Sequence, residues 1–294
     1  MSTAFVSAIT QHHSIHRYRR EPVATDLVHQ TVRAGIESVA LDPEIAVRWH
    51  IAWAGAQVTR ALRGQTGVSR VLNAPHYLIA LSEERPGYME NLGFRMEQLI
   101  LAATQAGLGT CWLGYALDEA RVRALVPDIA AGERIVALTP LGYADGSETG
   151  QIVEGILRWG TNGTGEFKPL SEIASHYIWT VPWISEEGDM ARILEHVRRA
   201  PSWSDTQPWH FVVDERWVIA TVDHRPPNAH VRTDKADYRL DGGIAMCHFY
   251  LAARAHGLQG MWMIPEEAEI KMVRDRYAIP ETHDVLGIYP IQRP

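Results

Sequence analysis

Residues 91–112, NLGFRMEQLILAATQAGLGTCW, and residues 241–262, DGGIAMCHFYLAARAHGLQGMW, are one segment written twice. Laid over each other they share Gly93/Gly243, Met96/Met246, Leu101/Leu251, Ala102/Ala252, Ala103/Ala253, Gly107/Gly257, Leu108/Leu258 and Trp112/Trp262. Each is apolar nearly all round, the pattern of a helix buried in a large core or crossing a membrane. Arg95, Glu97 and Gln98 interrupt the first run, and Arg254 and His256 the second. The uninterrupted stretches are well short of the roughly 20 residues a membrane span needs. Gly107 and Gly257 are glycines of the kind that end helices. Two equivalent core helices imply a tandem duplication, with two pseudo-symmetric halves in one chain.

The flanking segments repeat in the same order. Trp49-His50-Ile51 aligns with Trp209-His210-Phe211, and VALTPLGY (136–143) with VLGIYPIQ (285–292). Hydrophobic spacing predicts helices over 3–11, 25–39, 57–72, 118–125 and 186–200, with Thr25 or Asp26 and Asp118 as caps. Strands are expected over 45–54, 74–82 and 134–144, then after PSWSDTQP, at Trp217–Val222 and at 285–292. Residues 145–175, with the run GTNGTGEF, read as the connection between halves. The domain division that follows is 1–175 and 176–294.

The chain has 294 residues, enough for two ordinary domains, and an apolar fraction of 46% that supplies an ample core. A net charge of −7, with no basic block beyond Arg17, Arg19 and Arg20, argues against nucleic acid or an anionic membrane as partner. No apolar leader opens the sequence, so a cytoplasmic location is expected. Cys111 and Cys247 fall near equivalent places in the repeats and read as small buried apolar residues. Two cysteines exclude a disulfide framework or a cysteine-rich zinc site. Neither Ser14 nor Ser202 sits in a Gly-x-Ser-x-Gly elbow. The glycines of 160–165 lack the strand–turn–helix frame of a dinucleotide fingerprint.

Five stretches carry a family resemblance: HHSIHRYRREPV (12–23), GLGTCWLGY (107–115), FKPLSEI (167–173), RAPSWSDTQPWHFVVD (199–214) and YRLDGGIAMCHFYLAA (238–253). The chain resembles FMN-dependent nitroreductases, and more closely the subgroup in which two such units are joined in one polypeptide. The resemblance implies an α+β fold of mixed, mostly antiparallel sheets flanked by helices. Ordinary members dimerise and hold FMN between subunits; a tandem version carries that dimer inside one chain, as a monomer acting as an internal pseudo-dimer. The implied activity passes reducing equivalents from NAD(P)H to a small acceptor such as a nitroaromatic or quinone. The alternatives are a non-catalytic flavin-binding or flavin-storing protein, a relic that has lost flavin, and a specialised biosynthetic flavin dehydrogenase.

The resemblance also assigns cofactor-binding residues. An Arg-Arg-Ser-x-Arg phosphate motif aligns with His12, His13, Ser14 and His16. An Arg-Lys-Pro-Leu motif aligns with Phe167, Lys168, Pro169 and Leu170. The ring wall aligns with Pro201, Ser202, Asp205 and Gln207, with Trp203 beside them, and backbone groups at Trp112, Leu113 and Gly114 face the ring. The first half offers Leu41, Asp42, Ile45 and Val47 in place of the ring wall, and the second half lacks the phosphate motif, so one flavin per chain is expected. Histidine is only partly charged at neutral pH, unlike arginine. FMN affinity is therefore expected to be weak and to rise as pH falls through about 6.5. Asp205 adds an anion where the family has a neutral amide, and Arg17 and Arg19 are candidates to restore charge. A competing reading makes His12 and His16 a metal pair on one helix face, with Glu21 nearby, although zinc requires three or four ligands. Asp241 and His248 are expected to be satisfied internally. Flavin chemistry requires no side-chain acid or base, so no catalytic residue is assigned.

Overall fold

The computed structural model describes residues 2–65, 71–114, 117–147, 167–225 and 237–292. In the first half α1 (Ser2–Gln11) is followed by α2 (Thr25–Ile36), β1 (Val47–Ala52), α3 (Gly55–Ala61), β2 (His76–Glu83), the core helix α4 (Tyr88–Gln105), α5 (Glu119–Arg123) and β3 (Glu133–Leu141). The rest comprises α6 (Leu170–Ile173), β4 (Ala174–His176), α7 (Asp189–Val197), β5 (Trp209–Val213), β6 (Trp217–Asp223), the second core helix α8 (Asp237–Ala255), α9 (Glu267–Tyr277) and β7 (His283–Pro290). The fold is α+β, with one sheet per half.

The first sheet runs β1-β2-β3, antiparallel throughout. The second runs β4-β5-β6-β7, antiparallel except for the parallel β4–β5 pair. The two repeat each other in detail. The register of β2 against β3 shifts between Ala80 and Leu81, and that of β6 against β7 between Ala220 and Thr221. Bridges Gly109–Gly142 and Leu113–Leu138 in the first half recur as Gln259–Gln292 and Met263–Ile288 in the second. Gly107 and Gly257 both adopt left-handed φ (73° and 82°) and stop the core helices, as the sequence predicts.

The halves meet where α4 and α8 cross. A methyl group on Gly93 would lie 2.3 Å from the Leu240 carbonyl oxygen, and one on Gly243 2.1 Å from that of Glu90. Only glycine allows the two backbones to approach this closely. Beside the crossing, Arg239 pairs with buried Glu90 and also reaches Asp284 at 2.8 Å.

Two pieces of the first half lodge in the core of the second. Phe5, Ala8 and Ile9 of α1 pack there, and so do Leu170, Ile173 and Ala174 of α6 and β4. β4 then extends the second sheet, with Ala174 opposite Phe211. The structure thus finds a helix and a strand at the end of the stretch read as connection; the Gly-rich run 160–165 and residues 148–166 as a whole lie outside the described residues. The helix expected over 57–72 is shorter, closing at Ala61, with 66–70 also outside the described residues. Neither Thr25 nor Asp26 caps α2: the cap residue is Ala24, and no side chain bonds the helix end. Asp118 stands at the start of α5 without a side-chain cap bond. Helix α9 has a complete capping box, between Glu266 and Glu269. Cys111 and Cys247 are buried free thiols. Among the described residues no helix is long and apolar enough to cross a membrane.

Candidate functional site

The loop between α7 and β5 is wound tightly. Ser204, Asp205 and Gln207 all take left-handed φ, at 52°, 54° and 43°. A non-glycine residue in this region costs of order 1 kcal/mol or more and persists only where its surroundings enforce it. Here they do. Ser202 Oγ accepts the Gln207 amide at 2.9 Å, and Thr206 Oγ1 donates to the Trp203 carbonyl at 2.9 Å. Lys168 Nζ donates to the Gln207 carbonyl at 3.0 Å, and the Lys168 amide donates to Gln207 Oε1 at 3.3 Å. From the other side, Asp241 Oδ2 on α8 accepts the Trp203 amide at 3.2 Å. The sequence-predicted residues Lys168, Ser202, Trp203 and Gln207 thus form one hydrogen-bonded unit. Gln207 is buried, Pro201 and Trp203 are half-buried, and Asp205 is exposed at the tip. Burial holds the Lys168 amine below its ordinary range, against the opposing charges of Glu172 and Asp223. Arg198 and Arg199 lie over the Phe167 ring, at 5.9 and 5.5 Å from its centroid.

The histidine motif forms a second group. α1 stops at Gln11, so His12 and His16 do not share a helix face. Among the described residues no group of three or more His, Cys, Asp or Glu is placed to hold a metal ion. The segment lies along residues 109–111: the Ile15 amide donates to the Thr110 carbonyl at 2.8 Å, and His12 Nε2 is 3.3 Å from Thr110 Oγ1. His16 is buried with Nε2 3.8 Å from Cys111 Sγ; His13 is exposed and Ser14 half-buried. Burial, more than the repulsion of His248 and His13, holds His12 below the usual imidazole range, although the Glu97 charge opposes it. The two arginine candidates for restoring charge are engaged elsewhere. Arg17 Nε meets Asp145 Oδ2 at 2.7 Å, while Arg19 donates to the Ala144 carbonyl at 3.2 Å and pairs with Glu21 at 3.6 Å.

Next to this segment Trp112 is half-buried and its indole N–H donates to Glu97 Oε2 at 2.8 Å. Leu113 exchanges both backbone bonds with Leu138, at 3.0 and 2.8 Å, so its amide hydrogen is committed to the sheet. Gly114 packs against Leu240 and Ala137. The two groups are joined by α8. Near its start Asp241 holds Trp203; about two turns later His248 Nε2 meets Glu97 Oε1 at 2.8 Å, on the same carboxylate that holds Trp112. Asp241 and His248 are satisfied internally, as expected, but by bridging the candidate site. Glu97 was missed as a site residue; its signal was a carboxylate interrupting an otherwise apolar helix.

The donor chemistry around the wound loop suits a ligand rich in acceptors. Among the described residues, His196 Nδ1, Arg198 Nε and Trp209 Nε1, close to Pro201–Gln207 along the chain, are buried without a hydrogen-bond partner, as are Tyr18 Oη, Trp49 Nε1, Asn91 Nδ2 and Tyr289 Oη.

The family described as "Putative TM nitroreductase" matches residues 4–253. A curated protein of Archaeoglobus fulgidus, described as "Putative NADH dehydrogenase/NAD(P)H nitroreductase", is 30% identical over 131 residues, covering 38% of this chain and 75% of its own. In three dimensions the chain is similar to a "putative nitroreductase" from Thermotoga maritima, with a TM-score of 0.59 and 17% identity over 99% of this chain and 94% of that one. At that identity the structural likeness speaks for the fold, and the family match over most of the chain carries the assignment. The chain belongs to this nitroreductase family of oxidoreductases.

Proposed function

We propose that this protein is an FMN-dependent oxidoreductase, passing reducing equivalents from NAD(P)H to a small acceptor such as a nitroaromatic or quinone. One flavin would bind per chain, between the halves 1–175 and 176–294, in a cytoplasmic monomer that acts as its own dimer. The observation that carries this reading is the Pro201–Gln207 loop, strained at three residues and anchored by Lys168 and Asp241. When bound, FMN supplies the hydride chemistry. The chain's part is to hold and orient it. Pro201, Ser202, Trp203 and Gln207 wall the ring, Trp112 and Gly114 flank it, and Lys168 with His12, His13, Ser14 and His16 serves the phosphate end.

The equivalent loop of the first half supports a single site. Asn91 Oδ1 accepts the Leu41 and Asp42 amides at 3.0 and 3.1 Å, as Asp241 does for Trp203. Between them Leu41 and Ile45 are buried in the core, and no residue of 41–47 has a left-handed φ. Apolar side chains fill the place where the second half has its polar wall.

An absorption spectrum of protein incubated with FMN and then desalted tests the reading. A retained band near about 450 nm that bleaches on NAD(P)H addition is expected of such an oxidoreductase. Protein that emerges colourless overturns it in favour of a flavin-less relic. The sparse charge at the phosphate end favours one other reading, a flavin-storing protein, for which the band stays after NAD(P)H.

A further inference from the structure

Glu97 is completely buried in α4, yet two separate elements converge on it. Oε2 accepts the Trp112 indole N–H from the segment beside the site, and Oε1 lies 2.8 Å from His248 Nε2 on the other half's core helix. The protonation pattern of the pair follows from its partners. His248 Nδ1 is 2.9 Å from the His196 carbonyl, which can only accept, so Nδ1 carries a hydrogen. One further proton then lies between Nε2 and the carboxyl group, whichever of the two atoms holds it. The pair is neutral overall in both descriptions, which lets it be buried without an uncompensated charge. Losing either partner would leave a buried polar group unsatisfied, so the fold preserves both contacts together.

The geometry assigns Glu97 as a positioning residue of the flavin site: one carboxylate ties Trp112 of the first half to His248 of the second. The assignment rests on the flavin reading above. Glutamine at 97 can keep the geometry, accepting from Trp112 through its oxygen and donating to His248 through its amide. Alanine keeps neither bond.

The test is FMN binding followed by flavin fluorescence for wild type, Glu97→Ala and Glu97→Gln, at pH 6 and pH 8, with near-ultraviolet circular dichroism of the FMN-free proteins. Glu97→Ala is expected to bind FMN at least tenfold more weakly and to lose the Trp112 dichroism. Glu97→Gln is expected to match wild type within about twofold at pH 8 and to retain the dichroism. Wild-type affinity in Glu97→Ala overturns the assignment. If Glu97→Ala fails to fold, Trp112→Phe, which removes only the indole donor to Glu97, decides, and wild-type FMN affinity in that variant overturns it. Wild-type protein that binds no FMN at either pH overturns the flavin reading itself, and this assignment with it.

Discussion

Gly93 and Gly243 stand on opposite sides of one helix crossing, each pressed against a main-chain carbonyl of the facing helix, Leu240 for the first and Glu90 for the second. In an open helix, alanine would improve on glycine by about 1 kcal/mol. Here the sign reverses, since the added methyl meets backbone that has nowhere to go. Gly243→Ala is expected to lower unfolding free energy by about 1–3 kcal/mol, seen as a fall of several degrees in Tm. An unchanged or higher Tm would show that the crossing is loose.

Lys168 touches the wound loop directly through its amine. Removing its amine while keeping the aliphatic stem, as in Lys168→Met, leaves the Gln207 carbonyl without this donor and the phosphate end with less charge. FMN affinity should fall about tenfold, the equivalent of roughly 1.4 kcal/mol, from one charged hydrogen bond. Fluorescence titration reads this out, and equal affinity in the two proteins would exclude Lys168 from the site.

The pH dependence of FMN binding follows from His12. Burial holds its folded pKa below the ordinary 6.5, so the ring is neutral at pH 8 and gains charge only under acid conditions. Phosphate favours the charged ring, so affinity rises as pH falls, with a midpoint below 6.5 in the free protein. His12→Gln should flatten this dependence while leaving binding at pH 8 close to wild type. A steep dependence that survives in His12→Gln would assign it to another group.

His210 makes the fold acid-sensitive. Its Nδ1 is 3.0 Å from the Glu172 carbonyl and its Nε2 2.6 Å from Ser175 Oγ, an arrangement the neutral ring satisfies when the Ser175 hydroxyl donates to Nε2 instead of to the Trp179 carbonyl at 2.8 Å. Burial lowers its pKa to about 4, against about 6.5 in the unfolded chain. The unfolded state therefore takes up the proton first. Stability is complete above about pH 6.5, declines as pH drops toward 4 and stays low beneath it; this one residue contributes roughly 3 kcal/mol to the change. His196 and His283, also lowered to about 4 by burial, act with the same sign. Urea denaturation at pH 7, 5 and 4 measures the slope, and equal stability at pH 7 and 4 would contradict this account.

Much of the fold was legible because it depends on pattern. The repeated apolar helix, its terminating glycine and the closing strand are each visible as residue spacing, and they reappear as α4, α8, β3 and β7. The wound Pro201–Gln207 loop stood out too, since its Pro, Ser and Gln stand in order along the chain. What escaped depended on distant partners. α6 and β4 are short, and only the second core makes them a helix and a strand. Glu97 was visible as an interruption, but its meaning comes from Trp112 and His248, the latter more than a hundred residues away. The engagement of Arg17 by Asp145 likewise could not be read from either residue alone. Capping failed at Thr25 because a local preference is weak beside the packing that fixes α2.

The parallel pairing of β4 with β5 also limits how the molecule can breathe. A strand that departs one lobe and is laced into the sheet of its sibling acts as a strap. Prising the lobes apart would mean unlacing that strand and dragging α1 out of a foreign core.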